Sequence, residues 1–255
     1  MTDKIKIKVS SFVANILEND ALRFGFLKNE KSNKNALLNK LIPTLVEVRK
    51  ARRNEIEYIL KSEYNREDSE NIYSAVNTVI DRVYFEDEEL NVLEEYIWIR
   101  PSKETIPTYD EIETSETIIT AQEIPVYIRG LLNEYSQLPQ YKREILTFNR
   151  ELGVFADACE TRQILHFRDK ETSERYKAFA FGYYYGYLYD QTNYCIIYDI
   201  NNKTIKAIPL YQIQDIYTIK QKYKPSERLI EQLQSYTDNC DFEEEISVGV
   251  DENVF

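Results

Sequence analysis

Basic and branched apolar residues alternate strictly through Lys4-Ile5-Lys6-Ile7-Lys8-Val9, the period of a strand buried on one face. Ser10-Ser11 then offers an N-cap, and Phe12, Val13, Ile16, Leu17, Ala21 and Phe24 recur at helical spacing. Gly25 is placed to end that helix. A polar stretch, Lys28 to Lys31, leads to a second N-cap at Ser32 or Asn33, followed by an apolar face of Ala36, Leu37, Leu38, Leu41 and Ile42. Pro43 falls within this pattern and should kink the helix or lie near its first turns. Strand, helix, turn, helix is the organisation expected of residues 1–53.

Residues 54–100 read as an acidic helical segment, and 101–120, rich in Pro, Thr and Glu, as a linker. Residues 121–157 read as helix, interrupted near Leu138-Pro139 because proline disfavours a helical predecessor. The texture then changes. Gln163–Phe167, Tyr176–Phe181, Tyr183–Tyr189, Tyr194–Ile200, Thr204–Ile208 and Ile213–Ile219 are β-branched or aromatic and separated by polar turns. They predict a small twisted sheet or partial barrel over 158–225. Ser226–Tyr236 should form a closing helix, with an acidic tail completing 226–255. The fold class expected is α+β.

Charge sharpens this division. The chain of 255 residues carries a net charge of −12, yet residues 1–53 hold 12 Lys and Arg against 5 Asp and Glu. Residues 54–140 hold 6 against 20, 141–228 hold 14 against 11, and 229–255 hold none against 8. Attraction to phosphate depends on local patches, because charges beyond a Debye length of ~8 Å are screened. A basic head on an acidic body therefore still suits nucleic acid, while the body discourages non-specific coating. Three cysteines without C-x-x-C spacing suit a reducing compartment. No apolar run reaches the ~20 residues of a membrane span, and the start lacks a signal-peptide block. The expected location is cytoplasmic.

Period two places Lys4, Lys6 and Lys8 on one face of the first strand. An exposed edge invites pairing with the same strand of a second subunit, which would make a ribbon narrow enough for the DNA major groove. The start of the second helix, at Lys31, Ser32, Asn33 and Lys34, would hold a backbone phosphate through free N–H groups. KIKIKVSSF…LENDALRFGF…KSNKNALLNKLI resembles a ribbon-helix-helix module, whose members dimerise through the strand and usually read DNA with it. The bland alternative is an edge strand whose lysines serve only to prevent aggregation.

The block from Tyr141 to Ile219, YKREILTFNRELGVFADACETRQILHFRDKETSERYKAFAFGYYYGYLYDQTNYCIIYDINNKTIKAIPLYQIQDIYTI, resembles a WYL domain. The resemblance implies a small Sm-like β fold that binds nucleotides or single-stranded nucleic acid. The Trp-Tyr-Leu signature falls on Asn193-Tyr194-Cys195, keeping only Tyr194, and the family's Arg near the following strand falls on Gln212. A missing guanidinium removes a bidentate phosphate partner. The ligand set implied is Arg162, Arg168, Arg175, Lys177, Tyr194, Lys206 and Gln212. A ribbon-helix-helix module joined to a WYL domain also resembles type VI-D CRISPR accessory proteins, in which the WYL protein binds RNA and boosts an RNA-guided nuclease. It equally resembles a plain transcriptional regulator.

Tyr183, Tyr185, Tyr187 and Tyr189 alternate onto one face, either as a stacking platform for bases or as packing and interface. The one histidine, His166, lies in the apolar run Ile164–Phe167 and reads as a packed strand residue rather than a catalytic base. No glycine loop for phosphate appears among six Gly, and Asp87-Glu88-Glu89 lacks calcium-loop spacing. The expectation is therefore a non-enzymatic, cofactor-free, metal-free regulator. It would act as a homodimer binding DNA or single-stranded RNA, with an RNA-guided nuclease as a further partner and no membrane. The rivals are a protein-interaction adaptor of a larger effector and a hydrolase working through His166.

Overall fold

The computed structural model describes residues 4–64, 93–109, 124–186, 191–239, 242 and 246–248, which fall into two compact units, Met1–Leu138 and Pro139–Phe255. Within the first unit, β1 (Ile5–Ser10) places Ile7 and Val9 inward and Lys4, Lys6 and Lys8 outward, as the alternation predicts. Ser10 caps α1 (Ser11–Arg23), its hydroxyl accepting from the Val13 amide at 3.3 Å. Val13, Leu17, Ala21 and Phe24 are buried, whereas Phe12 is exposed. Gly25 ends the helix with φ 67°, a left-handed conformation glycine adopts without strain.

Asn29 and Glu30, both with positive φ, then turn the short strands β2 (Leu27–Lys28) and β3 (Lys31–Ser32) into a tight hairpin. Asn33 is the second N-cap: its Oδ1 accepts from the Ala36 amide at 3.2 Å. α2 (Lys34–Tyr64) continues past Pro43, which lies inside the helix, and buries Leu37, Leu38, Leu41 and Ile42.

Two expectations fail here. Residues 94–99 are not helical but form β4 (Glu94–Ile99), which pairs antiparallel with β1 over six residues, from Ile5↔Ile99 to Ser10↔Glu94. Tyr96-Ile97-Trp98-Ile99 is aromatic and β-branched, and its alternate isoleucines complete the core that Ile7 and Val9 begin. One edge of β1 is thus taken by a strand of the same chain, from Ile5↔Ile99 to Ser10↔Glu94, and its other edge pairs with no described strand. The start of the expected linker is also packed. Thr105 and Tyr109 are buried, and Asn39 of α2 gathers the turn after β4, bonding to the Arg100 carbonyl, the Ser102 amide and the Thr105 hydroxyl. Residues 65–92, which hold most of the expected acidic helix, and 110–123 lie outside the described residues. α3 (Ile124–Gln137) closes this unit, with Ile128, Leu131 and Tyr135 buried.

The second unit starts after the expected break at Pro139 with α4 (Gln140–Thr147), and a further break at Phe148 starts α5 (Asn149–Thr161). Five antiparallel strands follow: β5 (Gln163–Asp169), β6 (Arg175–Tyr184), β7 (Tyr194–Asp199), β8 (Thr204–Pro209) and β9 (Ile213–Lys222). With β10 (Ile246–Ser247) the sheet order is β10-β8-β7-β6-β5-β9. The two predicted strands Tyr176–Phe181 and Tyr183–Tyr189 are one strand as far as Tyr184, and 187–190 lie outside the described residues. The last strand of the meander returns to pair with the first, the path of a barrel. The ring stays open: β9 does not pair with β8, whose outer edge takes β10 instead. α6 (Glu227–Asn239) covers Phe179, Ile196, Tyr198 and Ile205 with Leu229, Leu233 and Tyr236.

Candidate nucleic-acid interface

Because Ile5, Ile7 and Val9 face the core with Ile97 and Ile99, the opposite side of the β1–β4 pair carries Lys4, Lys6, Lys8, Glu94, Tyr96 and Trp98. Tyr96 is 55% exposed and Trp98, the one tryptophan of the chain, 53% exposed. Lys6 Nζ lies 3.8 Å from the Tyr96 ring centroid and 5.5 Å from that of Trp98; Lys4 Nζ lies 6.0 Å from Trp98. Exposed cation–π contacts contribute about 0.5–1 kcal/mol each, so these ammonium groups are ordered on the surface but readily released to a phosphate. Lys8 differs, since it is ion-paired with Glu94 across the strands. Of the three lysines expected to act together, Lys4 and Lys6 therefore offer their charge more freely than Lys8.

Sequence reasoning missed Tyr96 and Trp98 altogether. The alternation of Tyr96 and Trp98 with buried Ile97 and Ile99 is the signal that marks them.

The second expected phosphate site is arranged differently. Lys31 is exposed in the hairpin, but Ser32 donates to Oε1 of Glu18 and Lys34 pairs with Oε2 at 2.7 Å. These two donors hold the Glu18 carboxyl below its ordinary range. Asn33 caps the helix with its own side chain. At this helix start Glu18 therefore occupies the Ser32 hydroxyl and the Lys34 ammonium, and Asn33 takes the Ala36 amide, so a phosphate would compete with Glu18 for those two side chains.

In the second unit, Arg162 is exposed at the left-handed C-cap of α5, and Arg168 sits opposite Arg175 across β5 and β6. His166, in the same row, sits opposite Lys177 and stacks on Tyr217 of β9 with centroids 5.4 Å apart. The sheet thus brings Arg168, Arg175 and Lys177 onto one face. Arg168 is not free, since its guanidinium bonds Asp215 through Nε at 2.9 Å and Gln214 at 3.1 Å.

Lys206 falls on the opposite face, 5.1 Å over the Tyr176 ring. Tyr194 packs on Phe242, and Gln212 donates to Glu171 at 2.8 Å. The seven residues of the WYL-like ligand set are therefore not gathered into one pocket. Tyr183 and Tyr185 are both exposed with rings 5.1 Å apart, edge to face; Tyr187 and Tyr189 lie outside the described residues.

Asn193, at the place of the signature's tryptophan, is buried. Its backbone N–H and Nδ2 both donate to Oε2 of Glu144, at 2.9 and 2.7 Å. Burial pushes the Cys159 thiol up to about 12 and the Cys195 thiol well above its ordinary value, so neither is a thiolate at neutral pH. Among the described residues no cluster of His, Cys, Asp and Glu is arranged to hold a metal ion, and no helix is long and apolar enough to cross a membrane.

No protein-family model and no curated protein matches this chain. Among solved structures it is similar to one described as "Crystal structure of a CRISPR Cas-related protein", with a TM-score of 0.64 at 13% sequence identity. The match covers 95% of this chain and 72% of that one, a likeness of fold.

Proposed function

We propose that this chain is a nucleic-acid-binding regulatory protein, an accessory of a CRISPR system, that engages nucleic acid with the outer face of the β1–β4 pair. One observation carries the reading. Three lysines project from one side of a strand whose other side is locked into the core, in a segment of net positive charge on an otherwise acidic chain. A core-anchored ribbon presents its charges in a fixed array, which is what phosphate binding rewards. The fold shared with a CRISPR Cas-related protein supports the system assigned. The helix-then-meander path of the second unit, with its last strand returning to its first, supports the Sm-like, WYL-type assignment. The role is binding rather than catalysis.

The test is a salt titration of binding to duplex DNA and to single-stranded RNA, comparing wild type with the triple variant Lys4→Gln, Lys6→Gln, Lys8→Gln. Each phosphate contact contributes about 0.7–0.9 to the slope of log affinity against log salt. The wild type should show a steep negative slope, made shallower by roughly two in the variant, since Lys8 is already paired. An unchanged slope would remove the ribbon from the interface and favour the adaptor reading.

A further inference from the structure

We propose that the β1–β4 face is a stacking platform for unpaired nucleobases, seated on Trp98 and Tyr96, with Lys4 and Lys6 meeting the flanking phosphates. This rests on the nucleic-acid reading above and adds to it the class of ligand: single-stranded rather than duplex.

The two largest aromatic side chains of β4 point to solvent while its isoleucines fill the core. Trp and Tyr left half-exposed two residues apart on one face of the strand pair form an aromatic patch, and such patches mark interaction sites. The lysines decide what the partner is. Lys6 sits between the two rings and Lys4 beside Trp98, so an occupant must bring negative charge within reach of both rings. An apolar or cationic peptide face does not do this; a chain of bases joined by phosphates does. Binding moves each ammonium from ring to phosphate and frees the ring face for a base.

Spacing selects against duplex. Residues i and i+2 of a strand lie about 6.7 Å apart, near twice the ~3.4 Å rise between stacked neighbours of one DNA strand. Two bases resting on Tyr96 and Trp98 are therefore unstacked from each other, with Lys6 between them. A double helix keeps its base faces stacked and offers only edges. Glu94, paired with Lys8, places a carboxylate at the far end, so the track for phosphate lies toward Lys4.

Trp98 is the only tryptophan, so the fluorescence of the full chain, excited where tyrosine does not absorb, reports on this face alone. Oligouridylate and oligothymidylate of about twelve nucleotides should quench it saturably, and duplex DNA of the same length should not. Trp98→Leu should weaken single-strand binding about 5- to 150-fold, while Trp98→Phe, which keeps a ring, should retain most of the affinity. Tyr96→Leu should act in the same direction as Trp98→Leu. Circular dichroism of each variant confirms that the sheet is intact, and wild-type quenching needs no variant at all. Single strands that bind without quenching, or that bind Trp98→Leu and Tyr96→Leu as tightly as wild type, would overturn the platform. If binding stays sensitive to the lysines in that case, the nucleic-acid reading survives alone. If no nucleic acid binds, both fall together.

Discussion

Glu144 and Asn193 are joined by two hydrogen bonds to a single carboxylate oxygen, while the other oxygen accepts from the Tyr211 amide at 3.2 Å. One buried side chain on α4 thus reinforces the junction of the β7 entry and the turn before β9, where the Leu210 amide also donates to the Asn193 carbonyl at 2.8 Å. Hydrogen bonds to a charged acceptor contribute about 1.5–3 kcal/mol, and a buried group left without its partner costs a similar amount. Glu144→Gln presents an N–H where a donor already points, and should lower unfolding free energy by about 2–3 kcal/mol, measured by urea denaturation. Phosphate-directed binding at β1 should be unchanged, which separates a scaffold residue from an interface one.

Gly186 requires its missing side chain. A Cβ there would lie 1.9 Å from the Thr192 carbonyl oxygen and 2.5 Å from its amide nitrogen, both backbone atoms that a rotamer change cannot move. Gly186→Ala must therefore shift the β6–β7 connection. Its expected effect is a lower melting temperature, with amide exchange accelerated at Thr192–Tyr194 and unchanged in α1. Gly153 and Gly182 have open space at the same test, so alanine there should be tolerated far better.

The Glu18 cluster predicts an acid-sensitive contact between α1 and the start of α2. Lys34 and Ser32 hold the Glu18 carboxyl below 4.5, so its folded form binds a proton less readily than its unfolded form. The stabilisation is therefore fully present above 4.5 and lost as pH falls through the lowered folded value. The melting-temperature difference between wild type and Glu18→Gln should be constant above about pH 5.5 and shrink progressively in more acid solution. A difference that instead grew in acid would show that the ion pair is not the source.

Much of this architecture was legible in the chain, and the failures share a cause. The alternation of Lys4 through Val9, the caps at Ser10 and Asn33, and the meander from Gln163 to Ile219 are local signals, each contained within a few residues of its element. What could not be read was pairing across distance. Nothing near Ile5 announces Ile99, and without that partner Tyr96 and Trp98 looked like part of an acidic helical stretch. The surroundings of the second unit's expected ligand residues were hidden for a related reason: Asp215 and Gln214 reach Arg168, and Glu171 reaches Gln212, only after the strands are placed. A sequence shows which side chains can bind phosphate; the fold decides which of them are already bound to something else.

Asn39 tests whether the interface depends on the placement of β4. Its side chain bonds the Arg100 carbonyl at 3.0 Å and accepts from the Ser102 amide and Thr105 hydroxyl, both at 2.7 Å, while Asn35 Oδ1 accepts from the Arg100 amide at 2.7 Å. Two asparagines one turn apart on α2 thus clamp the chain where it leaves β4. Asn39→Ala removes three of these bonds without touching any residue of the outer face, and should cost about 2–3 kcal/mol of stability. Amide exchange should rise in Glu94–Ile99 more than in α1, because the core contacts of Ile97 and Ile99 then hold β4 with less help. Lys4 and Lys6 keep their charge in this variant, so any fall in nucleic-acid affinity has to come from Tyr96 and Trp98 losing their fixed position beside them. An affinity equal to wild type, in a variant whose β4 exchange is clearly faster, would mean that the lysines bind without the aromatic strand.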